Sequence, residues 1–314
     1  MPKNPLIDNF RQIALSIALL LIAAGCGEDV ASMGKSLAEA RRGFTTRPGG
    51  TQPPGEAIPQ PPSSVFRLVK YSSPVGELSA YLTPDPGDGE KHPAIVWITG
   101  GDCNSIGELW EPAPRENDQT AAAYRTAGII MMFPSLRGGN DNPGRREGFL
   151  GEVDDVLAAA EYLAAQSYVD PGRIYLGGHS TGGTLVMLVA EMTDRFRAVF
   201  AFGPVGDVRG YGGQFVYHQP GIREESILRS PGYWLDSVRS PLFVIEGTGG
   251  NIDSLREMQG KATNPLVRFV TVTGVDHFAV LAPANEAIAA EILGDAGPTM
   301  GISLSDQKLK GGGR

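Results

Sequence analysis

Between residues 94 and 272 the sequence alternates short, solid apolar runs with stretches of helical periodicity. No other feature constrains the fold as much. The runs 94–99, 129–133, 174–176, 198–202, 242–245 and 267–272 each read as a strand buried on both faces. The clearest helical pattern is 151–166, where Val153, Val156, Leu157, Ala160, Leu163 and Ala164 share one face. It stops before Asp170-Pro171-Gly172, a strong turn signal. This alternation predicts an α/β fold, a mainly parallel sheet with helices on both faces. Ligands of such sheets bind beyond the carboxyl ends of the strands. Ahead of it, 65–71 and 78–82 alternate well enough to form a strand pair.

Composition narrows the possibilities. Of 314 residues, 41% are hydrophobic and 20% charged, which excludes wholesale disorder. The net charge of −8 argues against nucleic acid as a partner. The two cysteines, Cys26 and Cys103, exclude a disulfide scaffold and an all-thiolate zinc site. The sequence contains no metal-ligand cluster or phosphate-cradling loop, so neither a metal nor a cofactor is expected. No apolar run reaches the ~18–20 residues that span a bilayer.

The ends read differently from the middle. Lys3 and Arg11 precede an uncharged, mostly apolar run at 13–24, as in a signal peptide covering 1–25. The run ends in Ala23-Ala24-Gly25-Cys26, which resembles the bacterial lipobox. That predicts acylation of Cys26 and an exported lipoprotein at the bacterial cell envelope, with membrane lipid as a partner. Residues 26–62, punctuated by Gly49-Gly50, Pro53-Pro54 and Pro61-Pro62, read as a flexible tether with a short helix near 36–42. The catalytic domain is expected at 63–296, and 297–314, ending in Gly311-Gly312-Gly313, reads as a disordered tail.

Gly178-His179-Ser180-Thr181-Gly182 fits the pattern Gly-x-Ser-x-Gly. In a chain with 42 glycines the pattern alone decides little, so its context matters. Here a strand run precedes it and the apolar helix 184–192 follows. A Ser on such a strand-to-helix turn projects above the sheet, beside a helix N-terminus that favours developing negative charge. Ser180 is therefore the candidate nucleophile. Of the four histidines, His277 lies in a loop at the carboxyl edge, after the run 267–272, and is the candidate base. The orienting acid should follow the run 242–245. Asp253 is assigned, with Glu246 at the strand end as the competitor and Asp276 too close to His277 in sequence. The chain order Ser, Asp, His is that of α/β-hydrolases. Thr181, with Gly101 and Asp102 in the loop after 94–99, would supply the oxyanion-hole N–H donors. Cys103 in the same loop reads as a buried or adjacent thiol.

With these residues in hand, the chain resembles the catalytic domain of the prolyl oligopeptidase family. The likeness runs through Ser135-Leu136-Arg137-Gly138-Gly139, Gly151-Glu152-Val153-Asp154-Asp155-Val156, the stretch 168–183, Ser240-Pro241-Leu242 and Asp276-His277-Phe278. It implies a serine hydrolase acting through an acyl-enzyme, with Ser180 and His277 as nucleophile and base, and Thr181 and Gly101 as oxyanion donors. The expected substrate is a peptide or other acyl compound. The alternatives are a carboxylesterase on the same fold and an inactive hydrolase fold serving as a binding module. Thr99-Gly100-Gly101-Asp102 replaces the family's His-Gly-Gly-Pro, and residues 27–90 are too few for a β-propeller. Tyr211, Phe215, Tyr217, Tyr233 and Trp234, beside Arg209, Arg223, Glu224 and Glu225 in the insertion 204–240, either roof the site or pack ordinarily.

Overall fold

The apolar runs become strands of one eight-stranded sheet, ordered β1-β2-β4-β3-β5-β6-β7-β8. This computed structural model describes residues 36–52, 55–111, 113–215 and 217–311. The expected signal peptide and Cys26 lie outside the described residues. In chain order the strands are β1 (Arg67–Ser73), β2 (Gly76–Leu82), β3 (His92–Ile98), β4 (Ile130–Pro134), β5 (Val169–His179), β6 (Val199–Phe202), β7 (Leu242–Gly247) and β8 (Val267–Val272). β1, β2 and β4 pair antiparallel, and from β4 to β8 every pairing is parallel. The expected α/β architecture is present, with an antiparallel hairpin at one edge.

Among the described residues the α-helices are α1 (Leu37–Arg41), α2 (Ala122–Thr126), α3 (Glu152–Ala164), α4 (Thr181–Met192), α5 (Arg223–Ile227), α6 (Ile252–Lys261), α7 (Leu281–Gly294) and α8 (Asp306–Leu309). Helix α3 buries Val153, Val156, Ala160 and Leu163, the stripe that the spacing predicts. Its first turn also buries two acids. Asp155 takes a bidentate pair of bonds from Arg137, at 2.8 and 2.9 Å, and Glu152 accepts the N–H groups of Glu147 and Gly148. The Arg137 pair compensates the buried Asp155 charge, and together these bonds tie the loop 135–150 to α3. Among the described residues no helix is long and apolar enough to cross a membrane.

Three expectations need correction. β5 runs through the Asp170-Pro171-Gly172 turn, because the chain pairs with β3 at Val169, bulges out, and pairs again from Ile174. Residues 36–52 and 55–62 are not a loose tether. Leu37 and Ile58 are buried, Pro48 bridges His218, and Tyr81 donates its hydroxyl to the Pro59 carbonyl at 2.7 Å. The described part of the tail is also held. Ile302 and Leu309 are buried, and Asp306 accepts the Thr273 N–H at 2.8 Å. Each stretch packs through isolated anchors rather than a repeating face, so it carries no periodicity to read.

Candidate active site

The β5–α4 turn places Ser180 at φ 56° and ψ −115°, outside the conformations an L-residue prefers. Neighbouring chains enforce this. The Ser180 N–H donates to the Phe202 carbonyl at 2.7 Å. A Cβ at Gly182 would collide with the carbonyls of Ile98 and Thr99, and one at Gly178 with the backbone of Gly182. Glycine is thus required on both sides of Ser180 for close approach. Thr181 begins α4, where the first N–H groups have no intrahelical acceptor.

His277 lies in the loop after β8, with its side chain 17% exposed. Its Nδ1–H donates to Glu246 Oε2 at 2.9 Å. Glu246 is the penultimate residue of β7 and its side chain is 1% exposed. Its oxygens also accept the N–H groups of Gly247 at 2.7 Å and Asn251 at 2.9 Å. The assignment of Asp253 as the acid is therefore corrected. Its side chain is 91% exposed, in the first turn of α6, and it faces Arg256 at 3.6 Å. The reach of the glutamate arm from the strand end makes the longer loop to Asp253 unnecessary. Asp276 instead accepts the N–H groups of Phe278 and Ala279, shaping the base's loop.

The structure holds no hydrogen bond between the Ser180 hydroxyl and His277. Such catalytic bonds are often long without substrate and tighten when it binds. The ring of His277 lies 4.5 Å, centroid to centroid, from that of His179, the residue preceding the nucleophile. His179 is buried, and both burial and the adjacent His277 hold its pKa well below the usual imidazole range. It is neutral at physiological pH. Sequence reasoning gave it no role.

The loop carrying Gly101 and Asp102 lies against Thr181. The Thr181 hydroxyl donates to the Gly101 carbonyl at 2.8 Å. Among the described residues the backbone N–H groups of Gly101, Asp102 and Thr181 make no hydrogen bonds, so all three are available. Gly101 sits at φ 72°. The Asp102 carboxylate is held by Arg146 at 2.7 Å and accepts the Asn104 N–H at 3.2 Å. Arg146 is buried, lies over the Tyr217 ring, and is clasped at its backbone by the Gln52 side chain. The oxyanion loop is thereby tied to both the N-terminal stretch and the insertion. Burial pushes the Cys103 thiol far up, so it stays protonated and is a poor nucleophile.

The insertion divides between the two roles considered for it. Tyr211 reaches α4, its hydroxyl 2.8 Å from that of Thr184, and packs on Phe149 and Phe215. Tyr217 packs on Arg146, which holds Asp102. Trp234 and Glu225 are structural: the indole donates to the Ile227 carbonyl, and Glu225 pairs with Arg229 at 2.6 Å, both side chains 1% exposed. Among the described residues no group of three His, Cys, Asp or Glu is placed to hold a metal.

The fold is that of the α/β-hydrolases, with Ser180 on the turn from β5 into α4. More particularly, residues 116–239 match the prolyl oligopeptidase family, Peptidase_S9. A relative is the dual function macrocyclase-peptidase POPB of Galerina marginata, 36% identical over 147 residues, which are 42% of this chain and 19% of that protein. The acylaminoacyl peptidase of Pyrococcus horikoshii superposes with a TM-score of 0.61 at 16% identity, covering 78% of this chain and 43% of that one. A hyperthermophilic esterase from Pyrobaculum calidifontis superposes with a TM-score of 0.53 at 19% identity, covering 72% of this chain and 84% of that one. The chain thus spans less than half the length of the peptidases it matches.

Proposed function

We propose that this chain is a serine hydrolase acting by acyl transfer through Ser180, His277 and Glu246. One observation carries the reading. A base at the sheet edge donates Nδ1–H to a buried carboxylate at 2.9 Å, leaving Nε2 as the proton acceptor. In the proposed reaction Ser180 Oγ attacks the substrate carbonyl carbon while His277 Nε2 takes the hydroxyl proton. The tetrahedral oxyanion is received by the N–H groups of Thr181 and the Gly101-Asp102 loop. His277 then protonates the leaving group, an acyl-enzyme forms, and water attacks it by the reverse proton path. Glu246 orients the ring and stabilises the imidazolium that forms twice per cycle.

The substrate class we favour is a small peptide, in keeping with the peptidases of the matched family. A carboxylesterase is the second reading, favoured by the near-complete coverage of the Pyrobaculum esterase. That Glu246 reaches His277 weighs against a purely binding role. We also retain the proposal of export and lipid anchoring through Cys26, whose test is release from membranes in Cys26→Ser. The central test is labelling with a fluorophosphonate. The wild type should label and Ser180→Ala should not. An unlabelled folded wild type, or a labelled Ser180→Ala, would overturn the hydrolase reading. Turnover of matched peptide and ester substrates then separates the two classes.

A further inference from the structure

His179 stands between the nucleophile and two other parts of the site. Its Nε2 lies 3.0 Å from the backbone carbonyl of His277, and a carbonyl can only accept, so Nε2 carries the proton. Nδ1 is then the acceptor. It faces the Gln119 amide, whose Nε2 lies 3.0 Å and Oε1 3.3 Å away, and as an acceptor Nδ1 takes its bond from the nitrogen. The same amide nitrogen donates its second hydrogen to Asn117 Oδ1 at 2.7 Å, which fixes the orientation of the amide. The Gln119 oxygen accepts the N–H of Gly100 at 3.4 Å. Gly100 directly precedes the oxyanion loop, and a Cβ there would crowd both His179 and Ser180.

We infer that Gln119 and His179 form a partly buried relay of three hydrogen bonds that locks the oxyanion loop, the nucleophile turn and the base's backbone into one register. This rests on the triad reading above, and it makes His179 and Gln119 positioning residues. The relay runs from the Gly100 N–H through the Gln119 amide and the His179 ring to the His277 carbonyl. It passes immediately beside Ser180 without using the nucleophile's own hydroxyl. Contacts of the His179 ring with His277, at 4.5 Å, and with Phe278, at 5.5 Å, add packing to the same joint. Because His179 is held neutral, its donor and acceptor stay in place when His277 takes up a proton during turnover. A charged ring at this position would repel the imidazolium and lose its acceptor.

The experiment compares His179→Leu, His179→Gln and Gln119→Met in fluorophosphonate labelling, kcat and KM, with thermal unfolding alongside. Leu removes both bonds, whereas Gln can still present a donor near the former Nε2. His179→Leu should lose about 100-fold in kcat and labelling rate with KM nearly unchanged, the cost of a small misplacement of reacting groups. His179→Gln should recover most of that loss, and Gln119→Met should show a smaller loss of the same kind. If His179→Leu fails to fold, Gln119→Met decides the matter. A folded variant that cuts the relay and reacts at the wild-type rate would overturn it, as would a His179→Gln no better than Leu. Failure of the hydrolase reading is seen separately, as an unlabelled wild type. In that event the relay is judged by NMR of the ring protons. An exchange-protected His179 Nε2–H that persists on acidification supports it, and its absence overturns it.

Discussion

Two turns bring side chains to the same sheet edge by opposite means. After β5, the backbone does the positioning. Ser180 is forced to its place because Gly178, Gly182 and Gly183 let the strand, the helix and the neighbouring loops close to contact distance. After β7, a side chain does it. Glu246 reaches from the strand end and gathers the N–H groups of Gly247 and Asn251 and the ring of His277 around one carboxylate. The first kind of site fails when atoms are added, the second when a charge is removed. Substitutions at each turn should therefore have distinct signatures.

The largest effect is expected at Glu246. By the precedent of the serine-protease triad, in which replacing the carboxylate by its amide costs about 10⁴-fold in kcat, Glu246→Gln should lose about 10³–10⁴-fold while still folding. Asp253→Asn, on the exposed helix, should turn over like the wild type. Equal losses in the two variants would erase the contrast between the strand-end and helix acids. Next comes Gly182→Ala. Overpacking should lower stability by about 1–3 kcal/mol in denaturant unfolding and slow labelling of Ser180 as well. An alanine variant that melts and labels like the wild type would mean that the β5 turn is not set by backbone contact.

The smallest effect sharpens the comparison with a second buried glutamate. Glu191, near the end of α4, is 1% exposed, and neither carboxylate oxygen has a hydrogen-bond partner. Burial raises its pKa well above the ordinary range, so the folded state holds it protonated. With the folded pKa above the unfolded one, its favourable contribution is full below the unfolded pKa. It is lost progressively as the pH rises from there through the folded pKa. Glu191→Leu should therefore raise Tm more at pH 8 than at pH 5 while leaving labelling unchanged. A Tm gain that is the same at both pH values would show that Glu191 titrates alike in the two states.

Much of the sheet and the turn that carries Ser180 could be read from sequence because their determinants are local. Solid apolar runs become strands paired on both sides, and glycines two residues before and after Ser180 announce the close approach they permit. His277 was also accessible, since a loop after a strand at the carboxyl edge fixes its location. The acid was harder to read. Asp253 and Glu246 both follow or end the same apolar run, and only the path of the His277 loop decides between them. The signal available was a charged residue closing a strand that is otherwise wholly apolar. The relay through Gln119 and His179 joins residues 60 positions apart and leaves no local trace. The terminal stretches were misread because single anchors such as Leu37 and Leu309 have no period.

The backbone angles of Ser180 have a consequence for how this chain tolerates change. A non-glycine residue in so sparsely populated a conformation costs on the order of 1–3 kcal/mol, supplied by packing elsewhere. The side chain with the proposed reactive oxygen is thus the one its own surroundings would soonest see replaced. Ser180→Gly should yield an inert protein that outlasts its parent on heating.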